Sequence, residues 1–266
     1  MYRRFLLALA LIAVCNGLSS ADEAEIQTNT VAYADGELQF EGFVAIPDSA
    51  DKDNPKPAVL VVHQWMGLTD YEKSRCQQLA KLGYVAFALD IYGKGVRPAN
   101  PKEAGAQSSK YKSDRDLYRS RLTLGLEQLL KQTGVDQNNV AAIGYCFGGT
   151  GVLELARSGA KVNGVVSFHG GLDSPNPADG ENIQCKILVC HGADDPFVPA
   201  KGIEAMKAEF DAAKVDWQMI SYSGAVHAFT QPMAGDDPSK GAAYQAAADR
   251  RSWAQMQVFF DELFGE

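Results

Sequence analysis

The first candidate for chemistry is a cysteine in a glycine-rich turn, Gly144-Tyr145-Cys146-Phe147-Gly148-Gly149. The apolar run before it, residues 140–143, predicts a buried strand, and residues 150–158 predict a helix. The turn is the cysteine form of the nucleophile elbow G-x-S-x-G, whose glycines leave room where a strand turns at once into a helix. We therefore expect Cys146 to be a nucleophile at the carboxyl end of a strand. The alternative is a buried structural cysteine beside a glycine-rich turn.

A base and an acid for this thiol follow later in the chain. A thiol that attacks a carbonyl needs a base, and that base needs a group that holds it in place. In folds with this elbow the order along the chain is nucleophile, acid, histidine. Asp194 and Asp195 follow one predicted strand, and His227 follows the last predicted strand. This order favours a catalytic triad, although His227 taken alone could be an ordinary loop histidine.

Backbone groups near the elbow can stabilise a developing oxyanion. The N–H of Phe147 and the N-terminus of the following helix point toward that position.

All four histidines of the chain, His63, His169, His191 and His227, lie at or after the ends of predicted strands. No two lie close in sequence and no Cys-x-x-Cys or His-x-x-x-His pattern occurs, so we expect no metal site.

The elements that must position these residues alternate between strands and helices from residue 58 onward. This alternation predicts an α/β fold with a mainly parallel sheet and helices on both faces. Residues 26–34 and 37–46 predict an antiparallel hairpin at one edge, around Asp35-Gly36. The other predicted strands cover residues 58–63, 84–89, 140–143, 162–168, 186–190 and 216–222. The predicted helices cover residues 71–82, 115–133, 150–158, 200–213 and 244–264, with a short one at 101–108 in an otherwise irregular segment, 90–111.

Length and composition indicate one domain preceded by an export signal. The chain has 266 residues, of which 46% are hydrophobic, with no repeat and no linker-like stretch. Residues 1–21 have a basic start, ten apolar residues and small residues at the end, an order typical of a signal peptide. The run of ten apolar residues is too short to cross a bilayer. We expect cleavage after Ala21, a single domain over residues 22–266, and an exported protein, periplasmic or secreted. A disordered tail on a cytosolic enzyme is the alternative.

The net charge narrows the class of partner. Removal of residues 1–21 takes away two arginines and changes the net charge from −8 to −10. So acidic a chain is a poor ligand for nucleic acid or an anionic membrane.

Cys185 and Cys190 flank a predicted strand, which separates them by roughly 16 Å. A disulfide tolerates about 7 Å between Cα atoms, so we expect no disulfide between them and no disulfide framework.

With these residues in place, the chain resembles the dienelactone hydrolase family of α/β-hydrolases. The resemblance covers roughly residues 38–264. It rests on the elbow and on four further stretches: His63-Gln64-Trp65-Met66-Gly67, Leu89-Asp90-Ile91-Tyr92, Asp195-Pro196-Phe197-Val198-Pro199 and Gly224-Ala225-Val226-His227-Ala228-Phe229. It implies an α/β-hydrolase fold with a sheet of about eight strands.

The resemblance also implies an activity and the residues that carry it out. The family hydrolyses enol-lactones and other esters, which are small molecules, without a metal or other cofactor. It implies Cys146 as nucleophile, His227 as base and Asp195, rather than Asp194, as the orienting acid. By the same resemblance, the backbone N–H groups of Trp65 and Phe147 form the oxyanion hole.

This sequence departs from the family pattern at three positions. Gln64 stands where a glutamate usually contacts the thiol, and a neutral amide cannot take a proton. Lys94, just past Tyr92 and with Arg97 nearby, stands where an arginine receives a substrate carboxylate, and Gln231 replaces a second such arginine. We expect Gln64, Tyr92 and Lys94 to contact substrate or to support the site, with a weakened carboxylate clamp.

Three functions fit these residues. The leading interpretation is hydrolysis of small esters or lactones through a Cys-His-Asp triad and a covalent acyl-enzyme. Acyl transfer would use the same thiol with a competing nucleophile in place of water. A ligand-binding protein that kept the fold and lost turnover is the third interpretation, and Gln64 is its best support.

Overall fold

The computed structural model describes residues 25–265 of the chain. The predicted signal peptide lies outside these residues. The strands are β1 (Ile26–Asp35), β2 (Leu38–Pro47), β3 (Lys56–Val62), β4 (Val85–Ala88), β5 (Val135–Tyr145), β6 (Gly164–Phe168), β7 (Lys186–Gly192) and β8 (Trp217–Tyr222). The α-helices are α1 (Asp70–Lys81), α2 (Pro101–Ser113), α3 (Arg115–Leu130), α4 (Phe147–Arg157), α5 (Ala200–Ala212) and α6 (Ala246–Phe264).

The eight strands form one sheet in the order β1-β2-β4-β3-β5-β6-β7-β8. Strands β1 and β2 form the predicted antiparallel hairpin at one edge, and β2 also runs antiparallel to β4. All other neighbours are parallel. The α/β-hydrolase fold with a mainly parallel eight-stranded sheet is thereby confirmed.

Both faces of the sheet are covered, which explains why the central strands are apolar along their whole length. On β3, Leu60 and Val62 point into a core shared with α3 and α4. The alternate residues Val59 and Val61 point into a second core, shared with α1 and α6. The period of two along an extended strand divides each run between the two cores.

The topology places the chemistry at the carboxyl ends of β3 and β5. Strand β3 lies between β4, which follows it in the chain, and β5, which comes later on the other side. Such a reversal of strand order opens a crevice beyond the strand ends, where ligands of α/β proteins bind. His63 follows β3 and Cys146 follows β5, so both emerge at this crevice.

Helix α2 is longer than predicted, because it continues from residue 108 to Ser113. The side chain of Asn100 caps its start by accepting a hydrogen bond from the N–H of Glu103, and Pro101 occupies the first turn. The extension carries Lys112 to the crevice. Within residues 25–265, no helix has the length and apolar character needed to cross a membrane.

Candidate active site

The turn between β5 and α4 holds Cys146 in a conformation that few non-glycine residues adopt. Its φ is 55° and its ψ is −112°. A Cβ atom on Gly144 would lie 2.0 Å from the carbonyl oxygen of Gly148, and one on Gly148 would lie 2.2 Å from that of Val62. Both glycines are therefore required by close backbone contacts, and the strained turn pushes the cysteine out toward the crevice.

A chain of hydrogen bonds joins three side chains that the sequence analysis singled out. His227 Nε2 lies 3.0 Å from Cys146 Sγ, and His227 Nδ1 lies 2.8 Å from Asp195 Oδ2. The other carboxylate oxygen of Asp195 accepts a hydrogen bond from the Phe197 N–H at 2.8 Å. Asp194 is exposed, whereas Asp195 is buried. The structure thus brings Cys146, His227 and Asp195 together in the geometry of a nucleophile, a base and an orienting acid.

A neighbouring segment holds the backbone of His227 in place. The His227 N–H donates to the Gly241 carbonyl at 3.1 Å, and the Ala243 N–H donates to the His227 carbonyl at 3.0 Å. The imidazole itself packs edge-on against the ring of Phe197, with 5.4 Å between ring centroids. The loop histidine is therefore fixed by backbone contacts as well as by its two side-chain partners.

The electrostatics favour a thiolate paired with an imidazolium. Burial by itself would raise the pKa of the Cys146 thiol. The charge of His227 and its hydrogen bond outweigh burial, with help from the Phe147 N–H and the Lys112 ammonium, so this pKa lies below its ordinary value. Burial would lower the pKa of His227, but the Cys146 charge and the Asp195 hydrogen bond raise it to about 10.

A second histidine supports the elbow from behind. The Cys146 N–H donates to Nδ1 of His169 at 3.1 Å, and Nε2 of His169 lies 2.8 Å from Thr230 Oγ1. Because Nδ1 accepts, a neutral His169 carries its proton on Nε2 and donates it to Thr230. Burial holds the pKa of His169 well below its ordinary value, which keeps the ring neutral. Its position after β6 was visible in the sequence, but this contact was not.

The loop after β3 is organised by His63 and Tyr92. Nδ1 of His63 lies 2.6 Å from the Gln64 carbonyl, and Nε2 accepts from the Ile91 N–H at 3.2 Å. Burial lowers the pKa of His63 to about 4, so the ring is neutral and donates from Nδ1. The Tyr92 hydroxyl donates to the Trp65 carbonyl at 3.0 Å. Tyr92 therefore supports the predicted oxyanion loop from behind the cavity.

The buried carboxylate of Glu72 stabilises the same loop, between β3 and α1. Its side chain accepts hydrogen bonds from the Gln64 N–H at 3.1 Å and from the Thr69 N–H at 2.9 Å. Burial raises the pKa of Glu72. Thr69 and Glu72 form a capping box at the start of α1, so the pattern Thr-x-x-Glu could have revealed this contact in the sequence.

These elements surround a cavity of about 900 Å³. Cys146 and His227 line it, and so do Gln64, Trp65 and Phe147, all of which the sequence analysis assigned to the site. The Gln64 side chain is almost fully buried in the cavity wall. Gln231 also lines the cavity, and its side-chain oxygen accepts a hydrogen bond from the Met233 N–H at 3.2 Å.

Lys94 does not lie where the sequence analysis expected it. Its ammonium pairs with Glu41 at 3.2 Å on the surface and does not line the cavity. Arg97 is tied to Asp90, with 3.5 Å between guanidinium and carboxylate. The expectation failed because the Gly93–Gly95 turn carries Lys94 back toward β2, where its N–H donates to the Gln39 carbonyl at 2.7 Å. The cation that lines the cavity among the described residues is Lys112, which the sequence analysis missed.

The remaining histidine and the three other cysteines of the described chain do not line the cavity. His191, at the end of β7, is buried, and burial lowers its pKa. Cys76, Cys185 and Cys190 are buried free thiols. Within residues 25–265, the His, Cys, Asp and Glu side chains form no group of three that could hold a metal ion.

Comparison with known proteins places this geometry in a family. The model of the dienelactone hydrolase family matches residues 40–264. A candidate carboxymethylenebutenolidase of Escherichia coli strain K12 is 25% identical, over 92% of this chain and 96% of its own length. Among solved structures, m3DLH is 38% identical with a TM-score of 0.85, and it aligns over 90% of this chain and 99% of its own.

A second solved structure adds a different reported activity. A dienelactone hydrolase-like promiscuous phosphotriesterase from metagenomic libraries is 40% identical, with a TM-score of 0.84, over 90% of this chain and 98% of its own. The family model and these relatives agree along almost the whole described chain. The chain belongs to the dienelactone hydrolase family and is a hydrolase of lactone or ester substrates.

Proposed function

We propose that the protein hydrolyses small esters and lactones through a covalent thioester on Cys146. The observation that carries the proposal is the hydrogen-bonded chain from Cys146 through His227 to Asp195, at 3.0 and 2.8 Å. Both distances are short enough for proton transfer and for holding the imidazole in one orientation. The proposed substrate is a small molecule, since the site is a cavity of about 900 Å³.

In the proposed acylation step the Cys146 thiolate attacks the ester carbonyl carbon. The carbonyl oxygen becomes an oxyanion, which the backbone N–H groups of Phe147 and Trp65 stabilise. As the tetrahedral intermediate collapses, the carbon–oxygen bond to the leaving group breaks and the His227 imidazolium protonates the departing oxygen. The products of this step are a thioester on Cys146 and a free alcohol, or an opened ring when the substrate is a lactone.

In the proposed deacylation step water is the nucleophile that attacks the thioester on Cys146. Neutral His227 takes a proton from water, and the resulting hydroxide attacks the thioester carbonyl. The carbon–sulfur bond then breaks, and Cys146 leaves as the thiolate with His227 protonated. Asp195 keeps the imidazole oriented throughout. Since Gln64 cannot accept a proton, His227 alone takes the proton of the Cys146 thiol in the resting pair, acts as the acid in acylation and acts as the base in deacylation.

The proposal is tested with a panel of aryl esters and lactones and with mass spectrometry of the quenched enzyme. We expect turnover in the wild-type protein and a mass increase equal to the acyl group on the peptide that contains Cys146. Product analysis with added alcohols and amines measures any acyl transfer in competition with hydrolysis. Hydrolysis that persists in Cys146→Ala at the wild-type rate would contradict the proposal.

Phosphotriester hydrolysis is a second candidate activity. The 40% identity with a promiscuous phosphotriesterase favours it. Thiolate attack would then occur at phosphorus, with loss of an alkoxide or phenoxide, and water would have to cleave the phosphorothiolate formed on Cys146. A neutral aryl dialkyl phosphate tests it: sustained release of the phenol supports turnover, whereas a single equivalent indicates a trapped enzyme.

We further propose that the protein is exported as one hydrolase domain that starts near Asp22. The support is the order of basic, apolar and small residues in the first 21 positions. Cys76, Cys185 and Cys190 are free thiols buried inside the fold, and burial shields them from the oxidants of a non-reducing compartment.

A further inference from the structure

We propose that the cavity selects esters whose alcohol portion is a large apolar group. This inference rests on the proposed function and specifies its substrate class. It is carried by three exposed side chains at the cavity, Trp65, Phe197 and Met233, which we call the apolar rim. Within this rim, we assign Phe197 and Met233 to the side of the leaving group.

The exposure of these side chains is the first observation. Among the described residues, six large apolar side chains are more than a third exposed: Leu38, Trp65, Leu82, Phe197, Met233 and Val258. Met233 is 91% exposed and Phe197 is 61% exposed. Single exposed apolar residues are common, but three around one cavity mark a surface for an apolar ligand.

Hydrogen bonds hold the backbone beneath the rim in place before ligand binds. The Phe197 N–H donates to Asp195, and the Met233 N–H donates to the Gln231 side chain. The Trp65 carbonyl accepts from the Tyr92 hydroxyl. Because the backbone is already ordered, binding costs the conformational entropy of the rim side chains only, and the flexible thioether of Met233 can adapt to different shapes.

The position of His227 assigns the alcohol portion to Phe197 and Met233. In the proposed acylation step the leaving oxygen must come within hydrogen-bond reach of His227 Nε2, so the group on that oxygen leaves the site past the residues around His227. Phe197 packs edge-on against that imidazole at 5.4 Å. Met233 follows His227 by six residues and lines the same cavity.

The charges around the cavity do not demand an anionic alcohol. Lys94 and Arg97 are engaged with Glu41 and Asp90 outside the cavity. Glu72 in the lining is buried and hydrogen-bonded within its own loop. The two exposed charged side chains of the lining are Asp70, which pairs with Lys73 at 3.0 Å, and Lys112. Solvent screens such groups, so the apolar rim dominates recognition of the alcohol portion.

The main experiment compares two isomeric esters, hexyl acetate and ethyl hexanoate, which have the same formula and the same overall hydrophobicity. We expect kcat/KM to be at least about fivefold higher for hexyl acetate, since burial of each methylene can contribute up to about fourfold. In the series from ethyl to hexyl acetate the alcohols have similar acidity, so an increase in kcat/KM reports binding of the chain. A flat series, or a preference for ethyl hexanoate, would overturn the inference.

Variants connect this preference to the rim. We expect Met233→Ala, alone and combined with Phe197→Ala, to flatten the alkyl acetate series, measured within each variant as the ratio of kcat/KM for hexyl acetate to kcat/KM for ethyl acetate. The control, Val258→Ala, removes an exposed apolar side chain of α6 that does not line the cavity, and it should keep the full slope. An unchanged slope in the double variant would contradict the assignment of the rim.

A readout without turnover separates this inference from the proposed function. Alkylation of Cys146 by iodoacetamide is measured with 1-hexanol or ethanol present at equal concentration. We expect hexanol to protect the wild-type thiol several-fold better than ethanol, and the double variant to lose this difference. Protection together with an absence of ester hydrolysis would refute the proposed function alone. Equal effects of the two alcohols alongside normal hydrolysis would refute the rim alone.

Discussion

His227 and Cys146 are joined by a direct hydrogen bond, with 3.0 Å between Nε2 and Sγ. Each residue moves the pKa of the other toward the charged pair, against the effect of burial on both. The pair therefore titrates as a unit, and its pH dependence follows from these two opposite shifts.

We expect a bell-shaped dependence of kcat/KM on pH for an uncharged ester. The thiol pKa lies below its ordinary value of 9.0, so activity rises with pH as the thiolate forms at a pH lower than a free thiol would require. The His227 pKa is raised to about 10, so activity falls as the imidazolium loses the proton that the leaving group needs. A single rising limb at or above the ordinary thiol pKa would contradict the ion pair.

Removal of the nucleophile should abolish hydrolysis without unfolding the protein. We expect Cys146→Ala to lose about 10³-fold or more in kcat, because covalent catalysis is eliminated. Cys146→Ser should retain weak activity, since His227 can act as base for a hydroxyl. The measurements are steady-state kinetics and thermal unfolding, and a well-folded alanine variant with near-normal turnover would contradict the role of Cys146.

We expect Gln64→Glu to change the ionisation of Cys146. Gln64 is nearly buried in the wall of the cavity that Cys146 lines. A carboxylate there could accept the thiol proton, but it would also repel the thiolate and raise the thiol pKa. We therefore expect the pH profile of the Cys146 alkylation rate to be simpler for the wild-type protein than for the variant, whose profile should also depend on the added carboxylate.

The alkylation experiment needs a check on the other thiols. Cys76, Cys185 and Cys190 are buried, and burial raises the pKa of each, so they should react slowly. Mass spectrometry of the labelled peptides verifies this. Superimposable pH profiles for the wild-type protein and Gln64→Glu would show that position 64 does not influence the nucleophile.

Gly148→Ala should damage both stability and activity. Its Cβ atom would lie 2.2 Å from the Val62 carbonyl oxygen, and neither backbone can move without shifting the elbow. We expect a loss of about 2 kcal/mol or more in the free energy of unfolding. The matched control is Gly105→Ala in α2, which has no atom within 4 Å of the new Cβ and should be neutral or stabilising by about 0.5–1 kcal/mol. Equal stabilities of the two variants would contradict this account.

The mature protein should begin near Asp22. The prediction follows from the basic, apolar and small residues of the first 21 positions. N-terminal sequencing or intact-mass measurement of protein recovered from its native cells tests it. A chain that retains Met1 or begins at Tyr2 would contradict export through this signal.

Local patterns along the chain were enough to predict the architecture and the family. Alternating apolar strands and amphipathic helices indicated a mainly parallel sheet, because the spacing of apolar residues follows directly from strand and helix geometry. The elbow around Cys146 was also recognisable, since close backbone contacts at Gly144 and Gly148 exclude every other residue there. The order of Cys146, Asp195 and His227 along the chain was sufficient to nominate them as a set.

Only the tertiary structure decided which side chains face the cavity. Lys94 was expected near the substrate, but a turn rich in glycine directs it to Glu41, whereas four further residues of helix α2 bring Lys112 to the cavity. The contacts of His169 with Cys146 and Thr230 join positions up to 61 residues apart in the chain. Such contacts depend on strand order, loop direction and helix length, which are set by long-range packing and leave no periodic trace in the local sequence.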